Sequence, residues 1–157
     1  MENVTRQSLI TRYGEGYAAV LAALEGITEA ELDAHTPVEE WTVRQIVHHL
    51  CDSEMTSGIR LRRLLAEEQP VISGYDEAEF ARRLHYERPI DTSLEVLRAV
   101  RASAMSLLVA LTEAEWERTG THSESGGYSV ASWLEIYGLH AHDHADQIRR
   151  IRAASAG

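Results

Sequence analysis

The sequence predicts an all-α fold, a four-helix bundle with long connectors. Four long stretches repeat apolar residues every three or four positions. The second, third and fourth of them open on helix-capping residues. No stretch reads as a convincing strand, and no internal repeat is visible. Four amphipathic helices bury their stripes most economically against one another. The length of 157 residues suits one domain spanning 1–157.

The first helix is expected from about Val4 to Leu24, with Leu9, Ile10, Tyr13, Tyr17, Val20, Leu21 and Leu24 at helical spacing and Gly26 ending it. Thr28 and Glu31 form a capping box, so a short helical turn follows before Pro37 breaks the chain. Thr42 with Gln45 caps the second helix, which runs to about Glu68, with Pro70 just beyond. Its stripe is Val43, Ile46, Val47, Leu50, Leu61, Leu64 and Leu65. His49 lies on the shoulder of that stripe, and His48 points away from it toward solvent. Glu54 sits near the stripe's centre, where a carboxylate must be paired or functional because an unpaired buried charge is costly. Ser73 to Asp76 is a turn, and Asp76 caps a short helix through Ala81 and Leu84. Thr92 with Glu95 forms another capping box and starts the third helix, to about Leu111. Thr112 to Gly127 reads as a polar loop holding Trp116 and an exposed His122. Ser129 caps the fourth helix, which ends near Arg152. The connectors before the last three helices are long, which permits a crossover and leaves the helix order open.

A net charge of −10 argues against nucleic acid or an anionic membrane surface as a partner. Every basic residue is arginine, so no Schiff-base lysine is available. Cys51 is the only cysteine, which rules out an intrachain disulfide and is compatible with a reducing compartment. The segment Met1 to Arg6 lacks the apolar core of a signal peptide, and the longest apolar run, Tyr17 to Leu24, is too short to span a bilayer. A cytoplasmic protein is expected, with a homodimer open.

The fourth helix carries the chemistry. Val130, Trp133, Tyr137, Ala141, Ile148 and Ile151 share its buried face, and His140 and His144 fall in the middle of that face. Two imidazoles one turn apart can hold one metal ion, although a single inward histidine is more often a satisfied core residue. His49 is the best third ligand, since a bundle can bring its helix against the fourth. Three neutral imidazoles suit zinc or nickel and leave a position open for water or substrate. Other schemes fit less well. The residues three before these histidines are Ile46, Tyr137 and Ala141, none of them acidic, against a di-iron bundle. His-Glu-x-x-His, a cysteine cluster and a nucleophile elbow are all absent.

Trp41-Thr-Val-Arg-Gln-Ile-Val-His-His49-Leu50-Cys-Asp52-Ser53-Glu54, Ser73-Gly-Tyr75-Asp76-Glu77, Trp116 to Glu124 and His140 to Ile148 together resemble the DinB/YfiT-like proteins. Trp41 to Glu54, which includes His49-Leu50 and Asp52-Ser53-Glu54, is similar to that family's Trp-Ser-Val-x-x-hydrophobic-x-x-His-Leu-x-Asp-Ser-Glu signature. Ser73-Gly74-Tyr75-Asp76-Glu77 resembles its Pro-Gly-Tyr/Phe-Asp-Glu turn, with Ser in place of Pro. Trp116 to Glu124 resembles its Trp-x-Arg-x-Gly-x-His-x-Glu loop, and His140 to Ile148 its His-x-x-His/Asp-His-x-x-Gln-Ile helix. The matches run in order over most of the chain. The resemblance implies a four-helix bundle holding a metal through His49, His140 and His144. Members of the family include thiol-dependent S-transferases and isomerases that use bacillithiol or mycothiol, and others are described only by the name of metal-dependent hydrolases.

The principal expectation is therefore a metal-dependent S-transferase. A divalent metal would hold a small thiol as thiolate, which attacks a small electrophilic substrate. One alternative is a hydrolase using metal-bound hydroxide, and another is a non-enzymatic metal- or ligand-binding bundle. Glu54 is a candidate to support the site, with a structural ion pair or hydrogen bond favoured for it. Gln147, one turn after His144, is a second candidate, hydrogen-bonding a ligand. His142 is expected in solvent, and Cys51 as a small core residue.

Overall fold

The computed structural model describes residues 5–157. Four long helices dominate: α1 (Arg6–Leu24), α3 (Val43–Ala66), α5 (Asp91–Leu108) and α7 (Val130–Ser155). Between them lie three short helices, α2 (Glu29–Leu32), α4 (Glu77–Arg83) and α6 (Glu113–Trp116). Three short strands complete the chain: β1 (Val71–Ile72), β2 (Thr119–His122) and β3 (Gly126–Ser129).

The expected start of α1 near Val4 lies outside the described residues. Its C-terminus is as expected, with Gly26 at a φ of +67°, a conformation that glycine takes without a steric cost. Thr42 accepts from Gln45 N, and the Gln45 side chain accepts from Thr42 N, so the capping box of α3 is closed. Ser129 caps α7 as expected, with Ser132 as the reciprocal partner. The third long helix departs from expectation. It starts at Asp91, Ile90 is its N-cap with no side-chain bond, and Thr92 already lies inside the helix. Thr112 to Gly127 is not a loop throughout. Thr112 and Glu115 close a capping box on α6, and β2 and β3 form an antiparallel hairpin with Gly126 at a φ of +82°. Strand β1 then adds to β2 in parallel, pairing Val71 with Thr121 and Ile72 with His122.

Helix α1 packs on α7 and α5, and α3 packs on α5 and α7. The ring order is thus α1, α7, α3, α5. The connections from α1 to α3 and from α5 to α7 join helices on opposite corners. The helix order left open by the sequence is settled by these contacts.

The core has two apolar clusters. One gathers Leu9, Tyr13, Leu61, Leu64, Leu108 and Trp133, and the other Val20, Ile46, Val47, Leu50, Ile148 and Ile151. A polar layer lies between them in chain position on α1, α3 and α5. There Arg101 donates to Glu54 at 2.7 Å and to the Tyr13 carbonyl at 2.6 Å, and Tyr13 Oη donates to Glu54 at 2.5 Å. The Arg101 guanidinium also lies 3.9 Å from the Tyr13 ring centroid. Gly16 makes room for it: a Cβ there would sit 2.5 Å from Arg101 Nη2 and 2.9 Å from Ala141 Cβ. No described helix is long and apolar enough to cross a membrane.

Candidate metal centre

The apolar periodicity of α7 turns His140 and His144 toward α3, and α3 presents His49 to them. Ligand nitrogens of the three rings all lie within 4.8 Å of one another. His140 Nε2 is 3.4 Å from His49 Nε2 and 3.2 Å from His144 Nε2. An ion held at about 2.0–2.1 Å by tetrahedrally disposed imidazoles needs nitrogens about 3.3–3.4 Å apart. Two of the three pairs are thus already at the spacing a divalent ion needs. Among the described residues no fourth His, Cys, Asp or Glu joins this group.

Burial is the main influence on the three rings. It holds the His49 imidazole down at about 3, with the charge of His144 adding to it. His140 is lowered to about 2 by burial first, then by His144, His49 and Arg101. His144 is also lowered by burial, against the opposing pulls of Gln147, Asp143 and Glu39. The rings are neutral at pH 7, so no proton competes for their lone pairs.

A relay sets the tautomer of His144. Gln147 Nε2 donates to Glu39 Oε2 at 2.7 Å, which turns Gln147 Oε1 toward His144. His144 Nδ1 then donates to Gln147 Oε1 at 2.7 Å, leaving the Nε2 lone pair aimed at the other two rings. Arg150 holds the other Glu39 oxygen at 3.0 Å. The hydrogen bond from Gln147, with Arg150 behind it, keeps the Glu39 carboxyl below its usual range. Gln147 was legible as a supporting residue, whereas Glu39 was not, because it sits in an irregular connector. Trp41 braces His49 from the same connector, with ring centroids 4.9 Å apart and edge to face.

Glu54, the other supporting candidate, has its carboxylate engaged with Arg101, Tyr13 and Ser57. It belongs to the bundle's polar layer, the structural role favoured for it. His48, expected in solvent, is fully buried. Its Nδ1 faces Ser93 Oγ at 2.8 Å, and its Nε2 donates to the Arg88 carbonyl at 2.9 Å. The connector before α5 covers a face that the stripe alone marks as polar. His122, expected exposed, is buried on β2, and its Nδ1 accepts from Glu124 N. His142 is half-buried and donates to the Arg12 carbonyl at 2.8 Å. Cys51 is buried, and burial pushes its thiol pKa up, as befits a core residue.

A cavity of about 400 Å³ opens on the histidines and is lined by Val38, Trp41, Glu77 and Gln147 as well. Glu77 also lines the two neighbouring cavities. Burial raises its pKa most, Arg60 opposes that, and the Glu124 carboxylate adds a smaller rise. The turn that carries Glu77 was visible in the sequence, but nothing there showed that it faces the histidines.

The chain has clear relatives. It is 40% identical over 125 residues, 80% of its own length and 73% of the relative's, to a protein of Oceanobacillus iheyensis named "Putative metal-dependent hydrolase". A protein of the same name from Bacillus mycoides is 35% identical over 130 residues, 83% of this chain and 75% of that one. Among solved structures, YfiT from Bacillus subtilis, described as a probable metal-dependent hydrolase with an unusual four-helix bundle topology, superposes with a TM-score of 0.88 at 30% identity, covering 99% of this chain and 92% of that chain. The family model of the DinB superfamily matches residues 12–148. A match over that much of the chain, with relatives and a solved structure that agree, places this protein in the DinB superfamily.

Proposed function

We propose that this protein is a metal-dependent hydrolase of small esters or amides, with His49, His140 and His144 as the ligands of one divalent ion. The observation that carries the reading is the convergence of the three ring nitrogens within 4.8 Å beside a cavity of substrate size. Zinc or nickel suits a set of three neutral imidazoles. When bound, such an ion supplies Lewis acidity, polarising an acyl oxygen and acidifying water. The chain's own residues do the rest. The rings of His49 and His140 stay deprotonated because burial keeps them so. The Glu39–Gln147 relay holds His144 in the ligating tautomer. Glu77 lines the same cavity with a carboxyl of raised pKa, suited to take a proton from water and return it to the leaving group.

The relatives support hydrolysis by name, and nothing among them supports thiol transfer, the principal expectation from the sequence. A three-residue donor set with room for a further ligand also favours an enzyme over a closed binding module. The test has two arms. Protein purified without chelator should carry about one ion per chain, and His49→Ala and His144→Ala should lose it. The metal-loaded protein should then cleave members of an ester and amide panel in thiol-free buffer. Metal content unchanged in both variants would remove the proposed ligands, and turnover that requires an added thiol would restore the transferase.

A further inference from the structure

Buried polar atoms without a partner are concentrated beside the histidines. Among the described residues, the buried side-chain nitrogens and oxygens without a hydrogen bond are His49 Nδ1, Arg60 Nε, Tyr75 Oη, Arg101 Nε, Tyr128 Oη and His140 Nδ1. Arg60, Tyr75, Tyr128 and His140 all line one cavity of about 300 Å³. Tyr128 is only 5% exposed, and its hydroxyl, with Arg60 and Tyr137 beside it, makes no hydrogen bond of good geometry within the protein. His140 lines the cavity over the metal centre too, so the two spaces adjoin.

These atoms ask for acceptors. Arg60 donates to Tyr137 Oη at 3.0 Å and to the Ser73 carbonyl at 2.8 Å, both neutral groups. Among the described residues no carboxylate lies within ion-pair distance of it. Tyr137 accepts from Arg60, so its own proton is free to donate. A guanidinium with an unused N–H, together with phenolic O–H groups, matches a group that only accepts and carries one negative charge. Glu77 and Glu124 line the exposed rim, and their charge opposes any anion, a dianion such as phosphate about twice as strongly as a single carboxylate.

We propose that this cavity binds a carboxylate of the substrate, so that the enzyme acts on small acyl compounds that carry a free carboxylate near the bond to be cleaved. The second half of the statement rests on the hydrolase reading above, and the first does not. Titration with propanoate and with propanamide at pH 7, followed by NMR, separates the two. The metal-loaded protein and the His144→Ala protein should both prefer propanoate, by about ten-fold or more, the effect expected of hydrogen bonds to a charged group. Arg60→Gln should abolish the preference. Tyr128→Phe should weaken propanoate several-fold while Tm stays level or rises, because only an unpartnered hydroxyl is removed. A merely structural tyrosine would lose stability instead. Equal affinity for acid and amide would overturn the proposal. So would a preference that disappears in His144→Ala and ignores Tyr128→Phe, since the acid would then be sitting on the metal. A preserved preference in a protein that cleaves no ester or amide would sink the hydrolase reading alone.

Discussion

Glu54 and His140 both put polar side chains into the bundle, but their surroundings are completed in opposite ways. The Glu54 carboxylate takes hydrogen bonds from Arg101, Tyr13 and Ser57, all from inside the protein. Around His140, the Nε2 atoms of three rings face one another, and the Nδ1 atoms of His49 and His140 have no partner among the described residues. In the first cluster every oxygen of the carboxylate is engaged, and only Arg101 Nε lacks a partner. The second is arranged for something that arrives from outside. Buried polarity therefore marks a site only where the protein's own atoms leave it unsatisfied.

Breaking the Glu54 cluster should have the largest effect. Arg101→Met leaves the Glu54 charge buried and unpaired, and should cost about 3–5 kcal/mol in denaturant unfolding, with metal binding by the folded protein retained. Gly16→Ala tests the same cluster from the other side. The helix gains propensity, yet the new methyl meets Arg101 Nη2 and Ala141 Cβ at 2.5 and 2.9 Å, so a net loss of about 1–3 kcal/mol is expected in the same assay. The unsatisfied cluster should respond in affinity instead. Gln147→Ala frees the His144 tautomer and should weaken metal binding by about 10–100-fold in a chelator competition, with little change in the unfolding midpoint of the metal-free protein. A Gln147→Ala protein that lost stability but kept its affinity would erase the contrast.

Acid sharpens the comparison further. His49 and His140 have folded pKa values depressed to about 3 and about 2, below the unfolded value of 6.5. Below pH 6.5 the unfolded chain therefore binds protons that the folded chain refuses. The stability these rings contribute is fully present above pH 6.5 and is lost as the pH falls toward 3. Each ring should steepen the decline by up to about 1.4 kcal/mol per pH unit, measured on metal-free protein between pH 6.5 and 4. His49→Leu should flatten the curve.

Legibility in the sequence followed from periodicity. His140 and His144 stood out because their own helix calls for apolar groups at those positions. The caps at Thr28, Thr42 and Ser129 stood out because a fixed spacing satisfies free backbone amides. His48 was misread because a stripe reports only one buried face, and the other is covered by Arg88 of a connector and Ser93 of α5. The hairpin was missed because its strands are four residues each and rich in glycine, although the Gly126-Gly127 pair signalled the turn. Glu39 and Arg60 had no local signature, and the turn motif that ends in Glu77 did not show what it faces, since their importance comes from which segments meet in three dimensions.

The cornerwise threading of the chain has one last consequence. Were the helices joined in the simple succession of neighbours, α3 and α7 would stand on opposite corners, and the same apolar stripes could still find one another. That rival would be a well-greased bundle with its imidazoles out of reach of any shared ion. Capture of a cation would thus reward the native threading alone, and its binding free energy would widen the gap to the wrongly wound isomer.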